Sequence, residues 1–536
     1  NTPRRRKFPL SAAWLCASVA EGWRLESGSR YTWPVKSRDQ VKPLMQTESH
    51  SNESHSPADA VRAERSDEGA QHSFEHPHRT GRRSRRLLLC ALIAISVLVA
   101  LRLAAIEGIF GVIRIDGGSM AESLCGDHLV VSCEDCGFVF RMDIATRGSD
   151  RRICPNCGYV NAPSDRDKFE RGRCVMIDRW PSWTRHLSRG DLVAVMDPDH
   201  PNEKAVKRVV GLPNERIEVR DDDLYANGVL VRSSFPEYRA RAMLVHDDRF
   251  RPQRTSEAHA RWLAGNSSLP WNQVRDGYDF ESQQVGLEAS PFSTEETPSG
   301  WAWLEYHHWR CCESPKPRFE DAPILDNDPY NQAVSRVLQP VHDIGVSCVI
   351  TSSPGAELAF RIRSPFGIWE LRFTCDRAGV ELFRDDTLVE KAKLTSFLAQ
   401  RDWKAEVAIC DRQFFFAAND RLILAYPFES EPARVEPARV EEERRPIAIG
   451  VYRGSDAVAP QVAVRVRDFQ VWRDRHYLGP RRSPERWAMA EPLPADCFAV
   501  LGDNPPLSID SREWPRDAVG WRTILGRVIP HAEAGR

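Results

Sequence analysis

Two sets of residues in this chain have types and spacings that could do chemistry. The first is four cysteines, Cys133-Glu-Asp-Cys136 and Cys154-Pro-Asn-Cys157, two C-x2-C pairs with seventeen residues between them. Each pair is followed by glycine and then an aromatic residue, Phe138 or Tyr159. This is zinc-ribbon spacing, in which four thiolates close a tetrahedral, structural site with no open position for substrate. Two disulfides are the alternative, if the segment meets an oxidising compartment. The second set is spread over three segments: IDGGSMAESLCGDHLVV with Ser119, KAVKRVVGLPNERIEV with Lys207 and Arg208, and VLGDNPPLSIDSREW with Ser508, Asp510 and Arg512. A serine hydroxyl is a poor nucleophile without a base beside it. Lysine can be that base only when its amine is neutral near pH 7, and burial in apolar surroundings lowers its pKa in that direction. Val206, Val209 and Val210 around Lys207 could supply the apolar wall. The backbone N–H of Ser119 is the natural donor to an acyl oxyanion.

In their order and content the three segments resemble the signature boxes of the bacterial type I signal peptidases. The first is similar to the family's G-x-S-M-x-P-T-L, the second to K-R-x-x-G-x-P-G-[DE], the third to G-D-N-R-D-N-S-x-D-S-R. The resemblance covers residues 87–131, 173–232 and 490–530, under a third of the chain. It implies that Ser119 is the nucleophile and Lys207 the general base. It also implies that Ser508 hydrogen-bonds and orients the lysine amine, and that Asp510 and Arg512 tie the third segment to its neighbours with Arg208 in the same ion-pair set. No cofactor enters this chemistry; zinc at Cys133, Cys136, Cys154 and Cys157 would be structural. The implied substrates are exported preproteins with small residues at the first and third positions before the cut. The sequence departs from the family at Glu122 (usually Pro), Ser123 (Thr), Asn214 (Gly) and Pro505-Pro506-Leu507 (Arg-Asp-Asn). These changes bear on substrate preference and loop shape more than on the dyad.

The elements that must position these residues are mostly strands. GVIRI, HLVVS, RCVMIDRW, DLVAVMD, KAVKRVVGL, RIEVR and LYANGVLV are short, β-branched and bounded by Gly, Asp or Pro. CFAVLGDN and ILGRVIP continue the style. Between them, ELAFRIR, WELRFTC, VELF, AEVAIC, AIGVY and VAVRVRDFQVW alternate with period two and suggest a β-sandwich. An EPARV repeat at 431–440 reads as a solvated loop. Trp301, Trp303 and Trp309 could stack on sugars, or serve as core residues of the sandwich.

Upstream, Leu87 to Leu101 is an unbroken run of apolar and small residues, extendable to Ile106. Arg79, Arg82, Arg83, Arg85 and Arg86 precede it. Arginines on one flank orient a single anchor with its N-terminal side in the cytoplasm. A cleaved signal peptide is the alternative, disfavoured by the long polar tail before it.

The expected fold is thus mainly β. Residues 1–86 are a disordered cytoplasmic tail and 87–106 a transmembrane anchor. A signal-peptidase-type catalytic core comprises 107–131, 173–234 and 481–536, with a zinc ribbon inserted at 132–172 and a β-sandwich at 235–480. Lys207 precedes the sandwich and Ser508 follows it, so its ends must lie close, and it reads as separable from the catalytic core. The formal net charge of −2 gives no sign of nucleic-acid binding. The expected partners are preproteins, the lipid bilayer and the export machinery. The expected location is the inner membrane, single-pass, with the catalytic part outside the cytoplasm. Two other functions fit parts of the sequence. One is a membrane-tethered, lectin-like binding protein on an inactive peptidase scaffold. The other is a self-cleaving repressor, which would need a helix-turn-helix and no membrane span.

Overall fold

The structure is a computed structural model that describes residues 80–103, 108, 110–144, 152–180, 186–253, 260–265, 271–281, 300–313, 317–377, 379–394, 401–429, 444–452, 462–478 and 486–529. The expected tail up to residue 79 and the EPARV repeat lie outside these residues. The apolar run Leu87–Leu101 is helical, inside a helix spanning Thr80–Leu103, and its leucines, isoleucines and valines are exposed. Among the described residues, no helix is long and apolar enough to cross a membrane.

The rest is built mainly of strands. A seven-stranded sheet carries the segments with candidate chemistry. Its order is Phe110–Arg114, Cys174–Asp178, Ile524–Ile529, Leu192–Met196, Lys204–Gly211, Cys497–Leu501 and Val519–Gly520. Segments from the start, middle and end of the chain therefore lie side by side. Lys204–Gly211 sits between Leu192–Met196 and Cys497–Leu501, and Val193, Val195, Val209, Phe498 and Val500 pack with Trp514 in one cluster.

Between 235 and 480 the described residues form two further large sheets, of eight and seven strands. One has Ala463–Arg473 and Ile344–Ser352 at its centre, the other Ile447–Tyr452 and Glu357–Ser364. One apolar core contains residues of both, including Phe280, Val346, Val407, Phe414 and Val466 of the first and Leu304, Phe360, Trp369 and Leu371 of the second. Period two explains this arrangement: along Glu357–Ser364, Leu358, Phe360 and Ile362 turn to the core. Trp303 and Trp309 are buried, at 8% and 2% exposure.

The four paired cysteines end two similar knuckles. Cys133 N–H bonds Phe138 O and Gly137 N–H bonds Cys133 O, and the same pair of bonds recurs at Cys154–Tyr159. Gly137 and Gly158 have φ of +78° and +73°, a conformation that glycine adopts at no steric cost.

Candidate active site

Lys207 lies mid-strand in Lys204–Gly211 and pairs with Val193 across the sheet. The residue is 2% exposed, and its amine donates a 2.8 Å hydrogen bond to Ser508 Oγ. Ser508 in turn donates to Asp510 Oδ2 at 2.7 Å. Burial is the dominant influence on the lysine and brings its pKa down to about 8, against a smaller pull upward from the charge of Asp510. Asp510 is wholly buried. It accepts from Gly502 N–H at 2.8 Å and from Arg512 Nε at 2.8 Å. Burial alone would raise its pKa; the charge and hydrogen bonds of Arg512, with Lys207 and the Gly502 amide, hold it below its ordinary value.

Ser119 reaches this group through the backbone. Its carbonyl accepts from Asn504 N–H at 3.0 Å, and the Gly118 carbonyl accepts from Asn504 Nδ2 at 2.9 Å. Gly502 is the pivot. A Cβ there would stand 2.1 Å from Ser508 Oγ and 2.6 Å from Ser119 O, so a side chain at 502 would displace both. Ser119, Lys207, Ser508, Asp510 and Arg512 are thus brought into one region from three distant segments. The lysine's hydrogen bond goes to Ser508; among the described residues none joins it to Ser119.

Arg208 corrects an expectation. It does not join the Asp510–Arg512 pair but grips Asp503, with Nε and Nη2 at 2.8 and 2.6 Å from its two carboxylate oxygens. Successive strand residues point to opposite faces, so Lys207 and Arg208 cannot serve the same side of the sheet. Asp503 is buried, which would raise its pKa, but the charges of Arg475 and Arg208 hold it well below the usual carboxylate range.

At the four cysteines, Cys133 Sγ lies 3.6 Å from Cys157 Sγ, and Cys136 Sγ lies 3.7 Å from Cys154 Sγ. A tetrahedral zinc with sulfur bonds of about 2.3 Å spaces its sulfurs by about 3.8 Å, whereas a disulfide bond is about 2.05 Å long. The donor set and its spacing fit zinc.

Residues 85–277 match the family model described as signal peptidase, peptidase S26. Ser119, Lys207 and the four cysteines fall inside the match; Ser508, Asp510 and Arg512 fall beyond it. Signal peptidase I V of Bacillus subtilis is 34% identical over 14% of this chain and 44% of its own length. The mitochondrial inner membrane protease subunit 2 of Danio rerio is 39% identical over 8% of this chain and 24% of its own. The similarity to signal peptidases thus rests on one part of the chain, residues 85–277 in the family match. The chain spans less than half the length of these curated relatives. Among solved structures, a Bacillus subtilis carbohydrate-binding module aligns with 40% of this chain and 93% of its own at 9% identity and a TM-score of 0.20, a likeness that carries no argument.

Three further site residues come from the segment between Lys207 and Ser508. Arg475 is 5% exposed; it donates to Ser123 Oγ at 2.7 Å and to Asp503 O at 3.1 Å. Asn331 exchanges side-chain hydrogen bonds with Asn504 at 2.7 and 3.0 Å. The carbonyl of Tyr477 accepts from Arg512. The segment read as separable therefore bonds into the site. No local pattern marks Asn331, the last residue of the short turn Pro329–Asn331, or Arg475, in irregular chain just after the strand Ala463–Arg473.

Proposed function

We propose that this chain is a membrane-anchored serine endopeptidase that removes signal peptides from exported preproteins, with Ser119 as nucleophile and Lys207 as general base. The observation that carries the reading is the buried Lys207 amine, its pKa near 8, donating to a serine that is itself fixed by a buried carboxylate. With its N–H directed to Ser508, the neutral amine keeps its lone pair for the Ser119 hydroxyl proton. Ser119 Oγ then bonds the scissile carbonyl carbon, and the backbone N–H of Ser119 faces the developing oxyanion. The protonated lysine returns its proton to the leaving amine, and a water activated by the same base hydrolyses the acyl-enzyme. Asp510 stays ionised throughout because Arg512 compensates it in place.

In this reading residues 87–106, an apolar stretch of sequence that runs past the described helix Thr80–Leu103, are the anchor, with the arginines before Leu87 on the cytoplasmic side. Residues 235–480 are an inserted β-sandwich. The four cysteines hold one zinc, which cross-links the two knuckles and takes no part in the chemistry. The test is incubation of detergent-solubilised protein with a preprotein, wild type beside Ser119→Ala. Cleavage by the wild type alone supports the assignment; equal cleavage by both overturns it.

A further inference from the structure

Resting on the peptidase reading, we propose that Asn331 and Arg475 are positioning residues that hold the nucleophile loop in register with Lys207 and Ser508. The loop Gly118–Ser123 is tied at both ends to the backbone around Asp503 and Asn504. At its start, Asn504 N–H and Nδ2 hold the carbonyls of Ser119 and Gly118. An asparagine amide can rotate; Asn331 fixes this one by bonding both its oxygen and its nitrogen. At the loop's end, Arg475 Nη2 holds Ser123 Oγ while Nη1 holds the backbone and carboxylate of Asp503.

Both residues are themselves anchored. Asn331 closes the short turn Pro329–Asn331, capped by the Asp328 carboxylate on Tyr330 N–H at 2.8 Å. Its neighbour Gln332 bonds the backbone of Ile153 in the cysteine-bearing segment. Arg473 holds the same turn through the carbonyls of Asp326 and Asn327. Tyr330 packs beside the loop, its ring 2.6 Å from where a Cβ on Gly118 would stand. All of Asn331, Arg475, Asp503 and Asn504 are under 9% exposed, so water does not compete for these bonds. Reacting groups must be held to within a fraction of an ångström, and a displacement of about 1 Å can cost roughly 100-fold in rate. Residues from the interposed segment thus fix the nucleophile loop from both sides without touching substrate.

Three variants test this: Asn331→Ala, Ser123→Ala, which removes the Ser123 hydroxyl's bonds to Arg475 and the Asp503 carboxylate but spares the Arg475–Asp503 pair, and Arg475→Lys, which keeps a positive charge. Hydrogen–deuterium exchange of peptides covering 117–124 is measured beside preprotein cleavage, well below each variant's Tm. The expected result is exchange about tenfold faster or more at 117–124. With it, kcat falls about tenfold or more while KM stays within about twofold. Exchange unchanged in both Asn331→Ala and Ser123→Ala would overturn the proposal, and so would faster exchange with kcat per folded molecule unchanged. If the wild type cuts no preprotein, the peptidase reading fails, while the exchange rates still decide whether these residues hold the loop.

Discussion

Lys207 Nζ and Ser508 Oγ are 2.8 Å apart across 301 residues of sequence, and both side chains are buried. A lysine in such a place has lost most of its hydration, and burial is the largest cause of its descent from 10.5 to about 8. The neutral amine, which the chemistry needs, is the form above that pKa. Activity should therefore rise with pH, about tenfold per unit below 8, and level off above it. The kcat/KM profile between pH 6 and 10 checks this. A flat profile would sink a lysine base titrating in that range.

Nucleophile and base act as a unit, so their removal should not add. Ser119→Ala and Lys207→Ala are each expected to reduce cleavage by about 10⁴-fold or more, with the double variant no worse than either single one. Circular dichroism and Tm separate loss of chemistry from loss of fold. Robust cleavage by Lys207→Ala would end the dyad assignment.

The legible part of the site was the part in which residue type and chemistry coincide. Ser119, Lys207, Ser508, Asp510 and Arg512 stand in compact segments, and the structure brings those segments together. Arg208 was misplaced because its neighbour drew it to the wrong group, although alternation along a strand turns the two apart. Asn331 and Arg475 left no trace, since a buried amide or guanidinium at a tertiary junction has no local period. The same holds for the fold. Glu357–Ser364 and Ala463–Arg473 alternate and were readable. Gln413–Ala418 is apolar on both faces and Thr387–Lys393 is polar and largely exposed, so neither carries period two.

The four-cysteine cluster predicts a metal that can be weighed. Elemental analysis of purified protein should give one zinc per chain, and Cys154→Ser should lose it and lower the Tm by several degrees. Strong chelators should do the same to the wild type, because a structural metal contributes its binding free energy to folding. Protein without metal, with these thiols paired as disulfides, would show the oxidised alternative to be right.

The closeness of Lys207 and Ser508 first suggests that the chain between them could be cut out. The ends are near, and closing a shorter loop changes the entropy only slowly with length. The contacts argue otherwise. Replacing residues 240–478 with a short Gly/Ser linker removes Asn331 from Asn504, Arg475 from Ser123 and Asp503, and the Tyr477 carbonyl from Arg512. It also strips Trp309 and Phe319 from Gly158, where a Cβ would stand 3.0 and 2.5 Å from their rings, and so uncovers one cysteine knuckle. Asp503 keeps Arg208 but loses a second buried cation, and an incompletely compensated buried charge is costly. The linker protein is expected to fold poorly, or to fold and cut even a short unstructured signal peptide at least about 100-fold more slowly than the full chain. A linker variant with full kcat on that peptide would show that the nucleophile loop holds its place unaided.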